Sequence, residues 1–259
     1  TLEYQQRLSL NFIDFVKAFD SIHRDTLWQI ARSYGIPAQF IDLLRSLYHD
    51  SRCCVRTEEG ETDLFEIKTG VRQGCVLSPM LFLLAIDFVN RNSIDQAQLG
   101  VPWAGGHLAD LDFADDIVLL GPTQPALKKL TTSLEEQSAK AGLRINVEKT
   151  KVVRVGYART TIPITINGQT IQEVPEFTYL GSVVAADGDV MRDVTRRIGK
   201  AAAVFQRLRP IWNSASLSLP VKLRLLSTIV ITTATYASET WKATADVVRK
   251  LDVFYPRCL

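Results

Sequence analysis

The stretch His107–Gly121, reading HLADLDFADDIVLLG, constrains this chain more than any other. Apolar residues lead into it at Leu111 and Phe113 and out of it at Ile117 and Leu119, so two short strands flank a turn carrying Asp115 and Asp116. Strands of this composition belong in a core. Two adjacent carboxylates at the tip of such a hairpin repel, and both stay ionised only when positive charge sits against them. A divalent metal would supply that charge. The alternative is an ordinary turn, in which Asp serves its own backbone through local hydrogen bonds.

A second carboxylate-bearing strand precedes it. Residues Leu8–Phe15, LSLNFIDF, read as a buried strand with Asp14 near its end, and an Asp there needs a partner as well. If this strand lies beside the hairpin, Asp14, Asp115 and Asp116 converge at one sheet edge. They would then offer the all-oxygen environment that Mg²⁺ prefers when it also keeps waters and substrate phosphates. Two ions about 4 Å apart would stabilise the attacking and leaving oxygens of an in-line displacement at phosphorus.

Between and beyond these strands the periodicity alternates. Leu27, Ile30, Ala31 and Tyr34 predict a helix closed by Gly35, and Phe40, Leu43, Leu44 and Leu47 predict the inward face of a second. Asp20 is placed to cap the first of them. Arg52 to Lys68 predicts a hairpin, Gly70 and Gly74 punctuate a loop, and Ser78 with Pro79 supplies an N-cap and first-turn proline for an apolar helix. Thr123 opens an amphipathic helix through Leu127, Leu130 and Leu134 that Gly142 ends. Leu143 to Val155 returns to strand, Asn167-Gly168 is the strongest short hairpin signal, and Phe177 to Val184 predicts one further apolar strand. Val190, Val194, Ala201, Phe205 and Leu208 line a helix that Pro210 stops, and Ser218 with Pro220 opens another.

With 259 residues, 46% hydrophobic and 22% charged, the chain can bury the core of one large domain or two closely associated ones. No apolar run approaches the roughly 18 residues that cross a bilayer, Met80 to Val89 being interrupted by Asp87. No signal peptide is read. Cys53, Cys54, Cys75 and Cys258 show neither CxxC spacing nor a disulfide framework, which excludes a zinc-ribbon reading and fits a reducing compartment. Net charge is only +2, yet from Arg192 to Arg224 eight basic residues face one acidic residue. That excess either tracks a phosphate backbone or is a solvated helix face. The shift to basic, all-helical composition near residue 188 places a domain boundary between 1–187 and 188–259.

Five blocks, FIDFVKAFD, GVRQGCVLSPMLF, FADDIVLL, GLRINVEKTK and FTYLGSVV, in this order and at these separations, resemble the successive palm motifs of reverse transcriptases, nearest to those of non-LTR (LINE-type) retrotransposons. The resemblance runs from about Tyr4 to Val184, and the helical remainder resembles a thumb. It implies an α+β fold, a polymerase palm built of an antiparallel sheet with helices on one face, followed by an all-helical thumb. It further implies RNA-templated DNA synthesis from a primer 3′-hydroxyl with dNTPs, using two Mg²⁺ ions or Mn²⁺ in their place. The partners implied are an RNA template, a DNA primer and dNTPs, with an endonuclease domain in the parent polyprotein. The setting implied is intracellular, nuclear and cytoplasmic, as a ribonucleoprotein.

Carried onto this chain, the resemblance makes Asp14, Asp115 and Asp116 the metal-binding catalytic carboxylates. Phe15 and Phe19 fall at the incoming nucleotide, Phe19 at the position that closes against the sugar 2′ carbon; the alternative for Phe19 is a core ring. Gln73 and Gly74 match the loop beside nucleotide and template. Lys149 matches the lysine that protonates the pyrophosphate leaving group, and otherwise is a surface lysine. Tyr179, Leu180 and Gly181 match the primer grip. The fingers blocks that precede the first palm motif in this family are not present, and Ala237 stands where a glycine is usual. The expectation is therefore a polymerase core that is weak or inactive alone, the alternative being a catalytically silent nucleic-acid-binding remnant.

Overall fold

Leu8–Ile13 (β1) is buried on both faces, and in the computed structural model, which describes residues 7–94, 99–156 and 162–258, it lies at the centre of a sheet. Its neighbours are β2 (Asp110–Phe113), β3 (Asp116–Gly121), β4 (Lys151–Val155) and β5 (Gln172–Glu173), in the order β5-β4-β1-β3-β2. Leu10 pairs with Val153 on one side and Leu120 on the other, both antiparallel. Only β4–β5 is parallel. The polar residues of β1 are buried too: Asn11 Nδ2 donates to Thr131 Oγ1 at 2.9 Å, while Asn11 Oδ1 and Ser9 Oγ have no hydrogen-bond partner.

Besides the single turn Ala18–Ser21, four longer helices among the described residues accompany this sheet: α1 (Arg24–Ser33), α2 (Ala38–Tyr48), α3 (Ser78–Ser93) and α4 (Gln124–Lys140). Helix α4 presents Leu127, Leu130 and Leu134 to Ile117 and Leu119 in one core, and Thr123 caps it by accepting from the Ala126 N–H. Helix α3 contributes Leu81, Phe82, Ala85, Ile86 and Val89 to the same core. Its expected N-cap is otherwise employed: Ser78 lies inside the helix and its hydroxyl donates to Arg72 O at 2.6 Å.

Helix α2 corrects the expected inward face. Ile41 and Tyr48 are buried with Leu44 against them, while Phe40, Leu43 and Leu47 are exposed. Two apolar stripes at i, i+3, i+7 compete on this helix, and only one can meet the core. Arg52 to Lys68 forms nested two-stranded pairs, and Asn167-Gly168 joins Thr165–Ile166 to Gln169–Thr170 with φ of +50° and +75°, as a two-residue turn of this kind requires.

The chain divides into two units, Thr1–Val174 and Pro175–Leu259. Phe177 to Val184, expected as one strand, is a tight hairpin. Strands β6 (Glu176–Tyr179) and β7 (Ser182–Ala185) pair antiparallel, Tyr179 opposite Ser182, across a turn in which Leu180 and Gly181 have φ of +47° and +81°. In the second unit α5 (Met191–Arg207) packs Ala201 against Leu226, Val230, Ala234 and Phe254. Pro210 does not simply stop this helix: it sits in the first turn of a short one, Arg209–Trp212.

The basic excess read from α5 is in part consumed. Arg192 and Arg196 both bind Glu176, and Arg192 also binds Asp187. Ala237 takes φ +60°, a left-handed conformation that costs an L-residue roughly 1–2 kcal/mol. Ala237→Gly is therefore expected to stabilise the unit by about 0.5–1 kcal/mol in urea unfolding, after the added entropy of glycine in the unfolded chain is deducted.

Candidate active site

The register of β1 against β3 builds the site. Ile13 lies opposite Ile117, so Asp14 comes one residue later at the level of Asp116, and Phe113 opposite Asp116 leaves Ala114-Asp115 as a two-residue turn. Ala114 has φ +58°, backbone strain placed at the tip that carries the carboxylates. Asp14 is anchored through its backbone: its N–H donates to Thr150 Oγ1 at 3.2 Å and its carbonyl accepts from Asn146 N at 2.7 Å. The bridge Phe15–Ile145 and the hydrogen bond from Val16 N to Arg144 O extend this seam. The seam brings Lys149 to the site, with its Nζ 3.8 Å from Asp14 Oδ2.

The electrostatic strain of the three carboxylates falls on Asp116. Burial raises the Asp116 carboxyl above its ordinary range, and the charges of Asp115 and Asp14 raise it further. Asp14 Oδ2 is shielded from solvent and accepts no hydrogen bond, Lys149 Nζ meeting it only as an ion pair at 3.8 Å. An orphaned carboxylate oxygen beside two further carboxylates is a hard-oxygen donor set suited to a divalent cation such as Mg²⁺. Among the described residues no three His, Cys, Asp or Glu side chains already stand close enough together to hold a metal ion. The carboxylates would have to draw together around a cation.

A second group of expected site residues lies on the segment after β1. Phe19 is half-buried and stacks on Phe82, ring centroids 4.2 Å apart and planes 10° apart. Phe15 is buried in the core and contributes packing. The loop bearing Gln73 and Gly74 is docked onto this segment by hydrogen bonds from Val71 N to Phe19 O at 2.7 Å and from Gly70 N to Ile22 O at 2.8 Å. Gln73 Nε2 donates to Asp20 Oδ1 at 3.0 Å. Asp20 thus holds the glutamine rather than capping α1, whose N-cap is His23. Gly74, at φ +82°, has open space around it, so conformation and not close approach calls for glycine there. Arg72, an exposed residue, donates to Leu47 O and Ser51 Oγ.

Two residues fix this loop in place, and of them Arg24, on α1, carries no obvious sequence signal. Arg24 donates to the carbonyls of Gly70, Tyr48, Ile67 and Thr69, tying the loop to α1. Gly70, at φ +77°, lies so near Asp20 that an added Cβ would stand 2.5 Å from Asp20 Cα. Tyr179, Leu180 and Gly181 fall in the other unit, at the β6–β7 turn.

The hairpin itself differs from expectation on its outer strand. Asp110 and Asp112 share the face of Leu119 and Ile117, while Leu111 and Phe113 are exposed. The inverted strand lines a cavity of about 520 Å³ with Asp110 and Asp112, opposite Asp87 and Asn90 of α3. Burial, then the Asp110 charge, pushes the Asp112 carboxyl from 3.8 up to about 7, although Asn90 donates to it. Asp112 is itself exposed along the strand edge, so solvent screens this repulsion. A raised folded pKa means that the neutral form favours folding below about pH 4 and that this contribution is lost as pH climbs through about 7. Thermal unfolding between pH 4 and 8 is expected to show that decline, and Asp112→Asn to flatten it.

Residues 3–184 match the family model described as reverse transcriptase (RNA-dependent DNA polymerase). The Retrovirus-related Pol polyprotein from type-2 retrotransposable element R2DM of Drosophila melanogaster is 26% identical over 250 residues, which covers 93% of this chain and 23% of that protein. The RNA-directed DNA polymerase from mobile element jockey of Drosophila funebris is 27% identical over 202 residues, 75% of this chain and 21% of that protein. The chain thus spans less than a quarter of the length of these relatives. Among solved structures, telomerase from Candida albicans in complex with a TWJ fragment of telomeric RNA is similar in fold, with a TM-score of 0.58 and 13% identity over 98% of this chain and 47% of that one.

Proposed function

Because the chain belongs to the reverse transcriptase (RNA-dependent DNA polymerase) family, we propose that it extends a DNA primer on an RNA template with dNTPs by phosphoryl transfer, weakly when separated from a longer retroelement polyprotein. The observation that carries this reading is the placement of Asp14 beside Asp116, with one Asp14 oxygen buried and unsatisfied. Asp14, Asp115 and Asp116 would hold divalent cations there. Such ions, when bound, lower the pKa of the primer 3′-hydroxyl and neutralise charge on the triphosphate.

The chain's own side chains do the remaining work in this reading. Phe19, braced by its stack on Phe82, presents a ring edge that excludes a ribose 2′-hydroxyl and so favours dNTPs. Gln73, set by Asp20, hydrogen-bonds near the nucleotide and template. Lys149, its Nζ 3.8 Å from Asp14 Oδ2, is the general acid for the departing pyrophosphate. The Tyr179–Gly181 turn contacts the primer end. The protein works inside the cell as a ribonucleoprotein, alongside an endonuclease domain of the parent polyprotein.

Primer extension on an RNA template with Mg²⁺ and dNTPs tests the reading. Template-dependent extension supports it. Tight binding of the primer–template without any extension, in Mg²⁺ or Mn²⁺, would instead favour the silent binding module.

A further inference from the structure

Within the unit Pro175–Leu259 the β6–β7 turn is held by one buried arginine. Arg197, on α5, donates from Nη2 to Gly181 O at 2.6 Å and to Ser182 Oγ at 3.4 Å. Its partner carboxylate, Asp193 one helical turn earlier, is equally buried but stands 3.9 Å from Nε. Asp193 spends its oxygens elsewhere: Oδ1 accepts from Val183 N at 3.0 Å and Oδ2 from Trp241 Nε1 at 2.8 Å. The guanidinium lies 4.4 Å from the centroid of the Tyr236 ring.

This geometry is poorly suited to stability alone. A buried ion pair recovers its desolvation cost best when the fork of Arg closes on both carboxylate oxygens. Here the pair is opened, Arg197 Nε makes no hydrogen bond, and the donors and acceptors are distributed over three successive residues, Gly181, Ser182 and Val183. The turn they hold needs holding, because Leu180 occupies the left-handed region at φ +47°. Arg192 and Arg196 clasp Glu176 at the other end of the hairpin. The hairpin is therefore pinned to α5 at both ends.

We propose that Arg197 is a positioning residue for the primer terminus: with Asp193 and Trp241 it fixes the Leu180-Gly181 turn against α5, so that the turn and the helix move as one piece. The proposal rests on the reading of Tyr179–Gly181 as the primer contact. Arg197 touches no substrate in this role. Its effect passes through the backbone carbonyl of Gly181.

The test uses the full chain with an RNA template and a recessed DNA primer carrying 2-aminopurine at its 3′ end. Arg197→Lys keeps the charge and loses the fork, Trp241→Phe keeps the ring and loses the donor on Asp193, and Leu180→Ala trims the exposed tip. Arg197→Lys and Trp241→Phe are expected to leave overall primer–template affinity unchanged, to alter the terminal 2-aminopurine fluorescence, and to slow extension about tenfold at saturating primer without changing the KM for dNTP. The Arg197→Lys, Trp241→Phe double variant should do no more than either alone, since both act through one turn. A wild-type fluorescence signal in both variants, alongside a changed signal in Leu180→Ala, overturns the positioning role. An unchanged signal in Leu180→Ala overturns the primer-contact reading beneath it. Trp241→Phe removes no charge and keeps the test open should Arg197→Lys fold poorly.

Discussion

Asp14→Asn is expected to abolish divalent-cation binding in calorimetric titration and to cut RNA-templated extension by at least about 10³-fold, roughly 4 kcal/mol of transition-state stabilisation. The substitution is nearly isosteric, and Asp14 is held by backbone hydrogen bonds to Thr150 and Asn146 that asparagine retains. Fold stability should therefore survive. It should even rise slightly without metal, because the Asp14 charge is one of the influences that raise the Asp116 carboxyl, and removing it relieves repulsion at the hairpin tip. A site that gains stability when its catalytic carboxylate is neutralised is one whose strain is kept for function. Loss of stability together with unchanged cation binding would sink this account, since Asp14 would then be a structural acid.

What the sequence revealed and what it hid divide along physical lines. Strand β1 and the β2–β3 hairpin were legible because their apolar residues repeat at the period of a strand and because a paired carboxylate at the tip of such a hairpin demands an explanation. The Asn167-Gly168 turn was legible because both residues tolerate the positive φ they adopt. The β6–β7 turn was not, since Leu180 in a left-handed conformation is not a residue choice that announces a turn. The exposed stripe of Phe40, Leu43 and Leu47 was misassigned because periodicity locates a helix without deciding which of two apolar stripes meets the core. Local sequence suggests Asp20 as a cap because its true partner, Gln73, lies 53 residues away. The inverted outer strand, with Asp110 and Asp112 facing α3, follows from register with β3, which alternation alone cannot assign.

The loop that carries Gln73 should separate two uses of glycine. Gly70→Ala places a methyl 2.5 Å from Asp20 Cα and 2.6 Å from its carbonyl carbon, both backbone atoms that cannot swing aside. With the left-handed φ of +77° added, the expected cost is about 3 kcal/mol or more in urea unfolding. Gly74→Ala meets nothing within 4 Å and bears only the conformational penalty of φ +82°, about 1 kcal/mol. The functional outcomes should diverge in the same order. Displacing Gly70 pushes the loop off the segment to which Val71 N and Gly70 N bond, breaks the Gln73–Asp20 hydrogen bond and loosens the wall beside Phe19. Extension by Gly70→Ala is therefore expected to lose discrimination between dNTP and rNTP as well as rate, whereas Gly74→Ala keeps discrimination because Gln73 stays tethered. Equal stability of the two variants would show that the Asp20 backbone yields to the methyl, and the loop would then be no support for Phe19.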